Sequence, residues 1–273
     1  MMPFFASTAP HIDIRPEAIF MIGPIAITNS MLLGVLGYGI VLGAFFYTIR
    51  KINRGEKNFF VKLVTWGYET LLRQVEGIIG DKTMARKVAP LPITLFFVII
   101  VNYWIGILPF VGPITVDEVP VFRGLMADMN TTFALAIISM VAVQLYAFKK
   151  HGFIGNVKRY LVNPLKDPIG CFVGILEIIA ELSRLVALSL RLFGNVFAGE
   201  VLLVMIGYMT QYFAGIALLP FMIFELFIGS IQAYVFFMLT TVFISLGMVS
   251  HGEHEDDHSP APVKELKAVG NDA

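Results

Sequence analysis

VALSLRLFGNVFAGEVLLVMIGYM (186–209) is an apolar run interrupted by two charges, Arg191 and Glu200. A guanidinium stays protonated at any accessible pH, so burial cannot neutralise Arg191 as it could a lysine or a carboxylate. At a bilayer centre such a charge costs several kcal/mol, and intramembrane ionisable residues are rare and line polar or ion-conducting paths. The run belongs to a longer tract, Ile169–Met209, of 41 residues without proline. As one helix that tract would be roughly 60 Å long, about twice the hydrocarbon thickness of a bilayer. It must break into two spans or lie strongly tilted. The absence of a polar loop, and polar residues spread along its length, favour tilt.

The rest of the chain has the same character. Its 273 residues are 57% hydrophobic and 15% charged, against about 25% charged in soluble domains, and the mean hydropathy is +0.77. These values predict an all-α integral membrane protein. A formal net charge of zero argues against a nucleic-acid partner. The single cysteine, Cys171, cannot form an intramolecular disulfide and reads as a small buried side chain. Residues 1–29 lack a basic start and small-residue cleavage site, and read as a short tail on the outer side. Residues 251–273 form a polar cytoplasmic tail of low complexity, expected to be disordered. Its His251, His254 and His258 have no cysteine companions, so no metal is expected. No Walker or Rossmann glycine pattern is present, so no nucleotide or other cofactor is expected on this chain.

About 20 apolar residues span a bilayer as a helix. Spans are predicted at Ser30–Ile49, Ile93–Leu108 and Thr131–Phe148, followed by the tracts Ile169–Met209 and Phe213–Val249. This gives about five membrane-embedded helices within a membrane domain of residues 30–250. The only place where the last two tracts could turn is around Gln211, Gly215 and Pro220, which makes residues 169–249 a long tilted hairpin. Between the first two spans, residues 58–80 place Phe60, Leu63, Val64, Leu71, Leu72, Val75 and Ile79 opposite Lys62, Glu69, Arg73 and Glu76. That spacing predicts an amphipathic helix on the membrane surface, or one packed on a soluble partner. The segment Arg50–Pro90 carries nine Lys/Arg and Ala147–Asp167 carries five, whereas Phe110–Met129 carries Arg123 alone. The positive-inside rule then puts the first two segments in the cytoplasm and the N-terminus outside.

Glu177, Arg184 and Arg191 recur every seven residues, so they share one helical face. Asn195 lies on that side too. Glu200 is nine residues from Arg191, about half a turn round and about 13 Å along the axis, too far to neutralise it within the helix. Glu225 and Gln232 are again seven apart on the final tract. Two helices with polar stripes could form a wet, proton-accessible seam in an apolar protein. Blander roles are open for each residue. Arg184 could pair with Glu177 or Glu181, Gln232 could join helices, and Ser183 and Ser189 could bond back to their own helix. Arg191 itself could pair with Glu225 or Glu200.

LSRLVALSLRLFGNVFAGE (182–200) closely resembles the signature of subunit a of F-type ATP synthases, and IQAYVFFMLTTVFIS (231–245) resembles its final helix. NYWIGILPF (102–110) and ADMNTTFALA (127–136) resemble its middle spans. The resemblance implies a stator subunit, not an enzyme by itself, in a bacterial inner membrane. The implied partners are a ring of c subunits, subunit b of the peripheral stalk, the rest of the complex and the lipid bilayer. It implies a tilted hairpin against the ring, with two offset proton half-channels leading to the ring's carboxylates. Arg191 then matches the essential arginine. Asn195, Glu200, Glu225 and Gln232 match the outer-side proton path, and Glu177 a carboxylate near the cytoplasmic exit. Glu225 falls where some members have histidine and others glutamate, so this chain has two acids there. Ala187, Ser189 and Leu185 depart from residues common in the family, at positions that serve packing. A stand-alone transporter using Arg191 to bind an anion is disfavoured, because no internal repeat relates the chain's halves. A scaffold without transport would leave the acids beside the arginine unexplained.

Overall fold

The computed structural model describes residues 18–22, 25–56, 58–108, 115–116, 119–120, 122–160, 168–210 and 213–248. The expectations for most of the N-terminal tail, for Gln211, for the Cys171 side chain and for His251, His254 and His258 lie outside the described residues.

Among the described residues seven α-helices make the fold: α1 (Asn29–Asn53), α2 (Phe59–Ile79), α3 (Lys82–Val88), α4 (Pro90–Ile107), α5 (Met129–Tyr160), α6 (Pro168–Thr210) and α7 (Ala214–Met248). Two short antiparallel hairpins accompany them, β1 (Ala18–Ile22) with β2 (Ile25–Thr28), and β3 (Thr115–Val116) with β4 (Val119–Pro120). The first hairpin lies within what the sequence predicted as a plain tail. Local signals set the helix ends. Pro90 opens α4, where its missing N–H would be unpaired anyway. Gly80, at φ 78°, closes α2, and Asp81 caps α3 by accepting from the Thr83 N–H at 2.8 Å. Asp128 caps α5 in the same way, accepting from the Asn130 N–H at 3.0 Å. Gly152, at φ 75°, kinks α5 just beyond the predicted end of that span.

Among the described residues four helices are long and apolar enough to cross a membrane by length and composition: α1, α4, α5 over Met129–Lys150, and α7. The helix α6 is longer still but carries Glu177, Glu181, Arg184, Arg191 and Glu200. It runs unbroken for 43 residues, which excludes the two-span alternative. Contacts with α7 run in reverse order, Gly207 with Leu218, Gly199 with Glu225, Asn195 with Gln232 and Arg184 with Phe243. The two therefore pack as an antiparallel pair from Arg184 to Gly207 of α6. Pro220 sits inside α7, so it is not part of the turn as its position suggested.

The bundle is apolar outside and partly polar inside. Val35, Leu42 and Phe46 of α1, Phe172, Ile179 and Leu182 of α6, and Ile216, Ile223 and Phe227 of α7 are all exposed. Buried between helices are hydroxyl pairs, Ser139 with Thr240 at 2.8 Å and Ser189 donating to Thr132 at 3.3 Å. In lipid the apolar effect cannot hold helices together, so close packing and interhelical hydrogen bonds must. Ser183 bonds back to Ile179 O as expected, whereas Ser189 reaches across to α5.

The helix α7 is central, packing on α2, α4, α5 and α6. Its Phe237 joins Leu71 and Val75 of α2, Ala85 of α3 and Ile93 of α4 in one cluster. The C-terminal half of α2 is thus seated on the bundle, while Phe59, Leu63 and Trp66 of its N-terminal half stay exposed. The loop after α4 also returns to the interior. Leu125, Met126 and Ala127 form a buried 3-10 turn that packs on α1, α4 and α6. Helix α1 approaches α4 through Gly37, where a Cβ would stand 2.1 Å from Asn102 Oδ1. Gly37→Ala is expected to destabilise the bundle by about 1–3 kcal/mol, seen as a lower melting temperature of the detergent-solubilised protein.

Candidate functional site

Arg191 sits near the middle of α6 on an exposed face. Its neighbours on that face are Ala187, Gly194, Asn195 and Ala198, all exposed, and a Cβ at Gly194 would meet open space. The surface there is smooth enough for another helix to approach closely. Among the described residues Arg191 has no hydrogen-bond or ion-pair partner. The pairing with Glu225 or Glu200 that the spacing left open does not occur, because each acid is engaged elsewhere. The guanidinium of Arg184 lies 5.4 Å from the centre of the Phe243 ring, and Glu181 accepts from Gln144 at 2.7 Å.

Glu225 comes from α7 and is 4% exposed. The Tyr103 hydroxyl of α4 donates to its Oε1 at 2.5 Å. The carboxylate can lie against α6 only because residue 199 is glycine, where a Cβ would stand 2.0 Å from Glu225 Oε1. The next residue, Glu200, faces the loop after α4, and its Oε2 lies 3.7 Å from Arg123 Nε. Its Oε1 lies against the Gly124 backbone, 2.6 Å from where a Cβ would be. Between these groups is a cavity of about 20 Å³ lined by Tyr103, Gly124, Glu200 and Glu225 among others, room for about one water.

One turn nearer Arg191, Asn195 Nδ2 donates to Gln232 Oε1 at 2.8 Å and ties α6 to α7. Gln232 is buried, and its Nε2 has no partner among the described residues. Glu177 lies 14 residues before Arg191 on α6, about 21 Å along the axis, and is half-buried. The structure therefore gathers Glu200, Glu225, Asn195 and Gln232 on one side of Arg191 and leaves Glu177 apart on the other. It adds two residues that sequence reasoning did not select, Tyr103 and Arg123. Both had a signal, since Tyr103 lies in NYWIGILPF and Arg123 is the sole basic residue of an acidic loop. Among the described residues no cluster of His, Cys, Asp and Glu could hold a metal ion.

Residues 31–245 match the family described as ATP synthase A chain. The chain is similar to ATP synthase subunit a of Buchnera aphidicola subsp. Acyrthosiphon pisum, 29% identical over 88% of this chain and 93% of the relative. It is 31% identical to ATP synthase subunit a of Stutzerimonas stutzeri, over 82% of this chain and 80% of the relative. With ATP synthase subunit a of Enterococcus faecalis it shares 31% identity, over 84% and 95%.

The fit of Glu225 against Gly199 gives a direct test. Gly199→Val is expected to lower thermal stability by displacing the carboxylate, and Glu225→Ala in the same chain to recover part of the loss. Equal stability of Gly199→Val and the parent protein would contradict the contact.

Proposed function

The chain belongs to the ATP synthase A chain family, the family of subunit a of F-type ATP synthases, and from that premise we propose that it is the stator of a rotary proton channel. It is a multi-pass membrane protein. The observation that carries the finer reading is the contrast between Arg191 and the acids. The acids are turned inward and held by Tyr103 and Arg123, while the arginine stands on an exposed face among small residues. A permanent charge in an apolar surface asks for a partner. Here the partner belongs to another chain, the ring of c subunits.

Protons enter from the outer side through the region of Glu200, Glu225, Asn195 and Gln232 and reach a ring carboxylate. After nearly a full rotation the carboxylate meets Arg191. A cation beside it favours the ionised form, so the proton leaves toward Glu177 and the cytoplasm. The same charge repels a proton or hydronium trying to pass directly between the two paths. Flux must therefore go round the ring, which couples it to rotation and to ATP synthesis on other subunits. The axial order Glu177, Arg191, Glu200 along α6 supports two offset paths with the arginine between them. The length of α6, about twice the hydrocarbon thickness, supports a strongly tilted hairpin against the ring. The charge asymmetry of the loops supports an N-terminus outside and a C-terminus in the cytoplasm of a bacterial inner membrane. The exposed apolar half of α2 lies on the cytoplasmic surface of the membrane, and subunit b of the peripheral stalk is a further partner.

Arg191→Ala is expected to abolish proton-driven ATP synthesis with the complex still assembled. Normal ATP-driven proton pumping in inverted vesicles of that variant would refute the role. Glu225→Gln is expected to slow proton entry from the outer side more than Glu177→Gln does, and equal effects on passive flux would refute the assignment of the two paths.

A further inference from the structure

One buried hydroxyl bonds to Glu225 and carries no proton in the scheme above. Tyr103 is 2% exposed, and its phenol is aimed at the Glu225 carboxylate at 2.5 Å. Its place is built from two helices besides its own. On α7, a Cβ at Gly229 would stand 2.3 Å from Tyr103 Cδ1, so only a glycine lets the ring lie there. On α6, Gly199 gives Glu225 the space to meet it. Other hydroxyls of the bundle bond to a carbonyl of their own helix, as Thr241 and Ser230 do, or to a neutral group of another, as Ser139 does with Thr240. The Tyr103 hydroxyl is committed to a carboxylate instead. The one-water cavity touches Tyr103, Glu200 and Glu225 together, while Arg123 holds Glu200 from the loop side at 3.7 Å. The two acids are thus anchored separately, and the phenol stands at the space between them.

We propose that Tyr103 is a proton-relay residue, passing protons from the cavity it lines with Glu200 to Glu225. This rests on the reading of Glu200 and Glu225 as the outer-side path. A phenol both donates and accepts. A proton arriving from the cavity bonds to the phenol oxygen as the phenol's own proton crosses to Glu225. One O–H bond forms and one breaks, the ring carries no charge afterwards, and Glu225 becomes neutral. When Glu225 passes its proton on, rotation of the hydroxyl restores the starting bond.

The test uses membranes carrying the whole complex, stripped of its soluble sector, with passive proton flux driven by a potassium diffusion potential. Tyr103→Phe keeps the ring in its seat on Gly229 and removes only the hydroxyl. Flux per retained c-ring is expected to fall about tenfold or more, as for loss of a positioned proton-transfer group. Unchanged flux per retained ring overturns the relay, as does a flux loss fully accounted for by lost c-ring. Glu225→Gln, measured beside it, separates the two levels of the reading. Slow flux in Glu225→Gln with normal flux in Tyr103→Phe overturns the relay alone. Normal flux in Glu225→Gln overturns the outer-side path and the relay with it.

Discussion

A protein whose outer surface is hydrocarbon has to satisfy its polar side chains among themselves, because the surrounding lipid offers no hydrogen bonds. Most of this bundle obeys that constraint. Ser139 meets Thr240, Ser189 meets Thr132, Asn195 meets Gln232, Glu181 meets Gln144 and Tyr103 meets Glu225. Each pair joins two helices, so the bonds that satisfy polar groups also set how the helices pack. Arg191 departs from the pattern, a fixed charge on an exposed face of small residues. The departure has meaning only because the rule holds around it.

Small residues do the complementary work. Gly37, Gly199 and Gly229 each occupy a place where a single carbon would strike Asn102, Glu225 or Tyr103. The helices approach at these points, and two of the three lie at the acids. A titratable side chain can then be buried with a chosen partner and little free space, which leaves a cavity of about one water. A proton path needs this combination of groups that hold protons and room too small for bulk water.

The structure gives the two acids different surroundings. Glu200 is held from the loop by Arg123 near Gly124. Glu225 is held inside the bundle by a phenol. Two carboxylates that look interchangeable in the sequence thus have different partners in the fold.

The membrane class, the five long helices and the helix that follows the first of them were legible in the sequence, because they rest on local quantities. Apolar length, the 3.6-residue period, seven-residue spacing and loop charge can each be read along one strand of text. The starts of α2, α4 and α5 were readable to within a few residues. The short hairpins, the buried 3-10 turn and the placement of Pro220 inside α7 were not. Nor could spacing decide which acid meets which partner. Glu225 and Tyr103 are 122 residues apart, and Glu200 and Arg123 are on different elements. Such pairings depend on where glycines let helices close together, and only the assembled tertiary structure fixes those distances.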